Sequence, residues 1–543
     1  MRYVKDRKNY LAEAKDTIKD DALHILATHD DNQDAGLKHA LDELDAETAQ
    51  KVVVRAAPSP TGMAHIGNIR TMIFNYLFAK KHNGIFYVRI EDTDQKRFVP
   101  GAEDYIKNAL DWLGITPDWS PWNPDSPNGP YRQSERDYSG HIKTLIDNGN
   151  AYYAFDTEKD LTDARTNTAN FMYGHATRMS MKNSLSLPKE EVDALLESKA
   201  PFVIRFKVPE NVNISFDDII RGNITTNSNQ IDDKVLVKSN GIPTYHMANV
   251  CDDHDMGTTH VIRGEEWIPS TGLHVLLYQA FGWEVPKFAH CPLLLNPDGK
   301  GKLSKRKALQ YGFPVFPFGG EAEDDKGQMT KYVGFKDQGY DPDALLNFLV
   351  LLGWSPGDDK EIMSMADMIS TFSLDKVSKS GARFDIEKAK WFNQSYLKTR
   401  DNSDLLSGID KSGTSYEYNE EELNQIMDMA KKRATFTHEL TTTTDIFFKP
   451  IDFSKVNIPT VAPEVKEVFA EFVNTNPSWD EESIKQDIFD ICATKGIKMG
   501  KIMPTLRFAI TGGIPGPELP ITMEILGREE TMKRINGLLQ KLG

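Results

Sequence analysis

Residues 52–81 restrict the fold of this chain more than any other segment does. Val52–Val54 is apolar and β-branched, which predicts a buried strand. Two prolines and a glycine then make Arg55–Asn68 an irregular loop. The residues beyond Gly67 show the apolar spacing of a helix, at Ile69, Met72, Ile73, Tyr76, Leu77 and Phe78. The sequence therefore predicts a strand–loop–helix unit, and the start of its helix presents free backbone N–H groups to an anion such as phosphate.

A second strand is predicted in Ile85–Asp94, and it ends in a cluster of carboxylates. In open α/β sheets, ligands gather at the carboxyl ends of the strands. Arg55 and Glu91 are therefore expected at the same edge, where Arg55 offers a fork for a carboxylate. His65 adds a donor that suits a phosphate oxygen.

A basic loop lies much further along the chain, at Asn296–Lys307, where lysines and one arginine alternate with glycines. Taken alone, such a run is typical of a solvated loop or a nonspecific phosphate patch. The loop therefore indicates a specific function only when it is considered together with the other motifs of the chain.

Four motifs together resemble one family. RAAPSPTGMAHIGN resembles the first signature of class I aminoacyl-tRNA synthetases, in the form found in glutamyl-tRNA synthetases. The other three are similar to later motifs of the same family: RIEDTD at 89–94, HVIRGEEW at 260–267 and KLSKR at 302–306. The similarity extends over roughly residues 51–543 and is dense to about residue 310. Asn68 replaces the second histidine of the first signature, so its role is left open.

This resemblance implies that glutamate is activated by ATP to glutamyl-adenylate and then transferred to tRNA-Glu, without a protein nucleophile. It implies the catalytic residues His65, Lys302 and Lys305. It implies the ATP-binding residues His65, Gly67, Glu266, Leu294 and Lys305. It implies the glutamate-binding residues Arg55, Ala57, Ser59, Glu91, Tyr245, Asn249 and Arg263. Two guanidinium groups, Arg55 and Arg263, would match the two carboxylates of glutamate. Mg²⁺ is expected to arrive with ATP, and Arg433 is expected to contact tRNA.

The resemblance also implies the architecture, an α/β fold followed by helices. A Rossmann-type class I synthetase catalytic domain is expected in two halves, 51–150 and 241–320. Between them lies an inserted acceptor-stem-binding module, 151–240. A linker or stem-contact module, 321–392, then leads into an all-α anticodon-binding region, 393–543. Residues 1–50 have no counterpart in the family. Their apolar spacing predicts an N-terminal helical extension, which is either packed on the catalytic domain or a partner-binding or poorly ordered arm.

Composition excludes several other classes of protein. The net charge of −16 argues against nonspecific coating of nucleic acid, although local basic patches still permit a tRNA partner. No apolar run reaches the ~18 residues of a membrane span. The first 50 residues hold 12 acidic and 7 basic side chains, unlike a mitochondrial transit peptide. Three cysteines without a CxxC pair predict neither zinc nor disulfides, and they suit a reducing cytoplasm. We expect a cytoplasmic monomer.

Some alternatives stay open. Arg205, Lys207 and Arg221 suit either contact with the tRNA end or an ordinary solvated strand face. The run Asp252–His254 is interpreted as a surface turn and not as a metal site. A glutaminyl-type synthetase and a catalytically inactive tRNA-binding relative are the rival functions, and the sequence does not decide whether tRNA-Gln is also charged.

Overall fold

The structure is a computed structural model, and it describes residues 51–304, 307–308, 311–323, 329–413, 416–475, 478–514, 516 and 518–542. The predicted N-terminal extension, residues 1–50, and the predicted catalytic residue Lys305 lie outside this described part.

Strands and helices are mixed as far as residue 383, and beyond it the described elements are all helices. The strands are β1 Val53–Ala56, β2 Ile85–Val88, β3 Ala151–Ala154, β4 Val203–Phe206, β5 Asn213–Asp218, β6 Gly222–Asn227, β7 Val235–Val237, β8 His260–Gly264, β9 Lys287–Cys291, β10 Leu294–Leu295, β11 Gly320–Glu323, β12 Met329–Tyr332 and β13 Ala382–Arg383.

The helices up to residue 399 are α1 Ile66–Lys81, α2 Ala102–Trp112, α3 Ser139–Asp147, α4 Glu158–Asn167, α5 Lys189–Glu197, α6 Tyr245–Asp255, α7 Ile268–Phe281, α8 Pro342–Leu351, α9 Met365–Thr371 and α10 Ile386–Thr399. The remaining helices are α11 Asn402–Leu406, α12 Glu420–Lys431, α13 Thr437–Phe448, α14 Pro463–Phe472, α15 Glu481–Thr494, α16 Met499–Thr511 and α17 Leu519–Leu542.

The predicted strand–loop–helix unit is confirmed. β1 is buried throughout and pairs in parallel with β2, and α1 crosses between them. Ile69, Ile73 and Leu77 of α1 are fully buried, as their helical spacing requires.

A second sheet has four strands in the order β6-β5-β9-β8. It joins β5 and β6, from the predicted inserted module, to β8 and β9, from the predicted second half of the α/β fold. β8 and β9 are parallel, and β5 joins them in parallel through Asp218 and Phe288. The N–H of Thr259 donates to the carbonyl of Val53 at 2.9 Å and links the start of β8 to β1. The carboxyl ends of β1, β2, β8, β9 and β5 therefore meet at one edge, the usual place for a ligand in such a sheet.

The predicted helical C-terminal region is also confirmed. Helices α11–α17 enclose a core of their own, which includes Ile426, Phe469, Ile502 and Leu538. Helices α8 and α9 instead pack against α1, for example through the rings of Phe74 and Phe372, whose centroids are 5.2 Å apart, and α10 packs on α8. Within the described ranges, no helix is long and apolar enough to cross a membrane.

Candidate active site

A cavity of about 360 Å³ opens at the carboxyl ends of β1, β2 and β8. It is lined by the following predicted site residues: Arg55, Ala57, Ser59, His65, Gly67, Glu91, Tyr245, Arg263, Glu266, Leu294 and Lys302. Asn249 lies behind the wall, where its side-chain oxygen accepts hydrogen bonds from Arg55 at 3.2 Å and Arg89 at 3.3 Å. Arg433 is remote from the cavity, in the turn between α12 and α13.

His65 caps the start of α1. Its Nδ1 accepts a hydrogen bond of 2.9 Å from the N–H of Gly67, and its backbone is extended. Burial and the neighbouring charge of Lys302 lower the pKa of His65 to about 4. The ring is therefore neutral near pH 7, and because Nδ1 accepts, its proton lies on Nε2. His65 can thus donate from Nε2 to an anion at the helix start.

The basic loop is held by one buried amide. The side-chain nitrogen of Asn296 donates to the carbonyls of Lys300, Gly301 and Lys302 at 2.7–3.1 Å. The ammonium group of Lys302 lies 3.1 Å from Glu266, and both side chains are close to half exposed. Exposed ion pairs of this kind contribute only about 0–1 kcal/mol, so Lys302 is readily released toward a phosphate.

Arg55 is held by an acidic residue that the sequence analysis did not assign to the site. Its guanidinium forms two hydrogen bonds to Asp253, at 3.0 and 3.2 Å. Arg89 donates to the same carboxylate at 2.8 Å. Burial alone would raise the pKa of Asp253, but these two arginines lower it. Asp253 therefore holds Arg55 at the cavity wall and also holds Arg89, which does not line the cavity.

Glu91 is a buried carboxylate at the end of β2. Arg89 donates to it at 3.1 Å. Burial raises the pKa of Glu91 to about 7, although Arg89 and Arg55 act in the opposite direction. Glu91 therefore changes its charge close to neutral pH.

Arg263 is also buried, but its surroundings differ. It donates to Tyr245 at 3.1 Å and to Thr271 at 2.9 Å. It also bonds to His290 at 3.1 Å and to His274 at 3.3 Å. Arg55 has a carboxylate partner, whereas Arg263 forms no ion pair within the described part of the chain.

One interpretation of the sequence is wrong, and one alternative that the sequence left open is removed. Asp252 and Asp253 are not in a surface turn, because both are buried in helix α6. Asp252 pairs with Arg136 at 2.7 Å. Arg205 does not lie on a solvated face, because it is buried, with its guanidinium 3.9 Å from the ring centre of Tyr173.

Arg221 and Lys207, the other two basic residues of that set, differ from Arg205. Arg221 forms an ion pair of 2.7 Å with Glu265, beside the active site. Lys207 remains exposed. Among the residues that the structure describes, no group of three or more His, Cys, Asp or Glu side chains is placed to hold a metal ion.

Arg70 is a further residue that the sequence analysis missed. It lies on α1 one turn after Gly67, lines the cavity and is buried. Its guanidinium donates to the carbonyl of Pro292 and, at 2.6 Å, to that of Leu352. Arg70 thus connects α1 to the segment between β9 and β10 and to the residue that follows α8.

Arg433 itself is exposed, whereas Lys431 is buried and donates to the carbonyl of Arg400 at 2.7 Å. Of the two, only Arg433 is therefore available to a partner molecule.

Family models match almost the whole described chain. The model "tRNA synthetases class I (E and Q), catalytic domain" matches residues 51–314 and 325–391. The model "Anticodon binding domain" matches residues 388–539.

Named relatives agree with those matches. The chain is 45% identical to a glutamate–tRNA ligase of Amoebophilus asiaticus over 505 residues, covering 90% of this chain and 98% of the relative. It is 44% identical to that of Porphyromonas gingivalis, covering 91% and 99%.

Two solved structures are also similar. A glutamate tRNA ligase from Elizabethkingia meningosepticum, in complex with its amino acid, has a TM-score of 0.82 and 45% identity, covering 91% of this chain and 100% of that one. The synthetase from Elizabethkingia anophelis has a TM-score of 0.79 and 46% identity, covering 90% and 100%. The chain therefore belongs to the glutamate–tRNA ligase family of class I tRNA synthetases.

Proposed function

We propose that this chain joins L-glutamate to tRNA-Glu in two steps, with ATP consumed in the first. The observation that carries the proposal is Arg263, a buried cation at the cavity wall whose partners in the described residues are all neutral. A buried charge is costly unless it is paired. A substrate with a negatively charged side chain supplies the missing partner.

Counting N–H donors supports the same assignment. A guanidinium group has five of them. Those of Arg263 meet four acceptors in the described chain, on Tyr245, Thr271, His274 and His290. One N–H of Nη2 is left for the substrate carboxylate. The hydroxyl of Tyr245 accepts from Arg263, so its own proton is available to the same carboxylate.

The other groups of glutamate have matching partners. Arg55 uses Nε and Nη2 on Asp253 and Asn249, and its Nη1 has no partner among the described residues. We assign this Nη1 to a carboxylate of glutamate, so that Arg55 keeps the role expected from the sequence while Asp253 orients it. Glu91, when ionised, accepts from the ammonium group of glutamate. Ala57 and Ser59 also line the cavity.

At the other end of the cavity, His65 and Gly67 receive the phosphates of ATP. The α-carboxylate of glutamate attacks the α-phosphorus, the bond to the β-phosphate breaks, and pyrophosphate leaves. Nε2–H of His65 and the ammonium of Lys302 stabilise the charge that develops. We assign the same role to Lys305, and contact with ATP to Glu266 and Leu294. A hydroxyl of the terminal adenosine of tRNA then attacks the acyl carbon, and AMP leaves.

The proposal includes three further expectations. Mg²⁺ enters with the ATP phosphates, which need charge neutralisation as pyrophosphate departs. The helical region binds tRNA, with Arg433 close to the anticodon, in agreement with the anticodon-binding family match. The enzyme acts as a cytoplasmic monomer.

Aminoacylation with labelled glutamate on separate tRNA-Glu and tRNA-Gln transcripts tests the function. Charging of tRNA-Glu is the expected result, and charging of both transcripts would identify a nondiscriminating enzyme. Charging with glutamine in place of glutamate would identify a glutaminyl-type synthetase and overturn the proposal. Absence of charging, together with absence of ATP–pyrophosphate exchange in the presence of tRNA, would identify an inactive relative.

A further inference from the structure

The partners of Arg263 in the described part of the chain are neutral side chains. Besides Tyr245, four groups bind its guanidinium or support those that do, and we name them the histidine cradle: His246, Thr271, His274 and His290. His246 bonds to His274 at 3.1 Å, so it is the outer member of the set. The ring of Phe288 covers the guanidinium from one side, at 5.7 Å.

Hydrogen-bond chemistry fixes the protonation of two rings that face the guanidinium. Arginine donates and never accepts, so Nε2 of His290 and Nδ1 of His274 must be acceptors. The proton of His290 therefore lies on Nδ1, 2.6 Å from the carboxylate of Asp218. The proton of His274 lies on Nε2 and is donated to Nδ1 of His246.

All three rings are neutral near pH 7, because burial lowers each of their pKa values. The charge of Arg263 adds to this effect at His274, and Lys234 adds to it at His246, whose pKa falls to about 4. Asp218 is the acidic group of the network, and the ring of His290 separates it from Arg263. Asp218 thus orients the ring without pairing with the guanidinium.

We propose that the histidine cradle sets the preference of the site for a charged carboxylate over a neutral amide. It holds Arg263 by acceptors that carry no charge, so the cation stays uncompensated until the substrate arrives. Glutamate completes the ion pair. Glutamine would occupy the same space and leave the cation buried and unpaired, which is costly. The members of the cradle and Asp218 are therefore positioning residues that act through Arg263. This inference rests on the proposed function, because it takes glutamate as the ligand.

The matched substitutions His274→Gln and His274→Glu test it. Both side chains have the same length and offer an oxygen acceptor to Arg263, but only the glutamate variant supplies a charge. Calorimetric titration of each full-length variant with L-glutamate and with L-glutamine measures the two dissociation constants. We expect glutamate to bind at least about tenfold more weakly to the Glu variant than to the Gln variant, because the introduced carboxylate already compensates the charge of Arg263. The ratio of glutamine to glutamate dissociation constants should fall by the same factor.

A second pair, Thr271→Asn and Thr271→Asp, repeats the comparison if either His274 variant fails to fold, which thermal unfolding monitors. A structural defect without a charge effect would change the dissociation constants of glutamate, glutamine and ATP together. Equal glutamate affinity in the charged and neutral members of a folded pair would overturn the inference while leaving the proposed function intact. Failure of the unmodified chain to bind glutamate would overturn both.

Discussion

The ring of His65 lies against Gly67 so closely that a Cβ atom at position 67 would come within 2.6 Å of Cε1 of His65. The same ring accepts the N–H of Gly67. The glycine thus has a steric role, since it leaves room for the histidine to cap α1 and to keep Nε2–H toward the cavity.

Gly67→Ala should therefore displace His65 and slow adenylate formation by about 100-fold, because misplacement of a positioning group by ~1 Å can cost that much. ATP–pyrophosphate exchange in the presence of tRNA measures this rate. Gly140→Ala is the control, since no atom lies within 4 Å of a Cβ there. Equal rates for the two variants would contradict the steric role of Gly67.

Asp253→Asn should destabilise the protein by about 3–5 kcal/mol, the usual cost of breaking a buried ion pair from one side. The reason is that Arg55 and Arg89 both depend on this carboxylate. Urea denaturation measures the change in the free energy of unfolding. Asp111→Asn is the matched control, because its pair with Lys107 is exposed and should contribute less than about 0.5 kcal/mol. Similar losses in the two variants would show that Asp253 is not a special partner of the arginines.

Glu91 should make glutamate use dependent on pH. Its pKa is raised to about 7, and only the ionised form attracts an ammonium group. As the pH falls from 8 to 6, kcat/KM for glutamate should therefore decrease, by about tenfold per unit below pH 7. His65, with a pKa of about 4, stays neutral over this range. Glu91→Gln should be less active and should have lost this dependence, and a flat wild-type profile would refute the assignment.

Arg433→Gln should lower kcat/KM for tRNA by about tenfold without changing KM for ATP or glutamate, since an arginine that contacts a base edge is worth ~1–3 kcal/mol. Lys432→Gln removes the neighbouring exposed charge and serves as the control. An equal loss in both variants would indicate a general charge effect in place of a specific contact by Arg433.

Local patterns were sufficient to predict the catalytic framework. The apolar strand, the proline-rich loop and the helical spacing of residues 52–81 all agree with one another, and β1, α1 and β2 form as expected. One local signal was overlooked. Tyr245, Asn249 and Asp253 are spaced four residues apart, so they share a face of α6. That spacing would have placed Asp253 at the site and excluded a surface turn.

Other contacts of the site could not be predicted from any local sequence pattern. His290 and Asp218 are 72 residues apart and meet only because β5 and β9 are neighbours in the sheet. Arg205 lies on a strand in which apolar and charged residues alternate, yet its side chain is buried against Tyr173. Such contacts depend on tertiary packing, which outweighs the pattern of a single strand.

The pairing of β10 with β13 has a consequence for the order in which the enzyme is made. Leu294, part of the cavity wall, is aligned with Ala382, and Arg70 is bound to the carbonyl of Leu352. A nascent chain that has emerged only as far as the basic loop therefore lacks the segments that hold Leu294 and Arg70 in place. Ala382 lies 88 residues after Leu294, so translation must continue well beyond the basic loop before the wall has its partner strand. Catalytic competence is thus acquired late in synthesis, when the segment leading into the helical region is already in place.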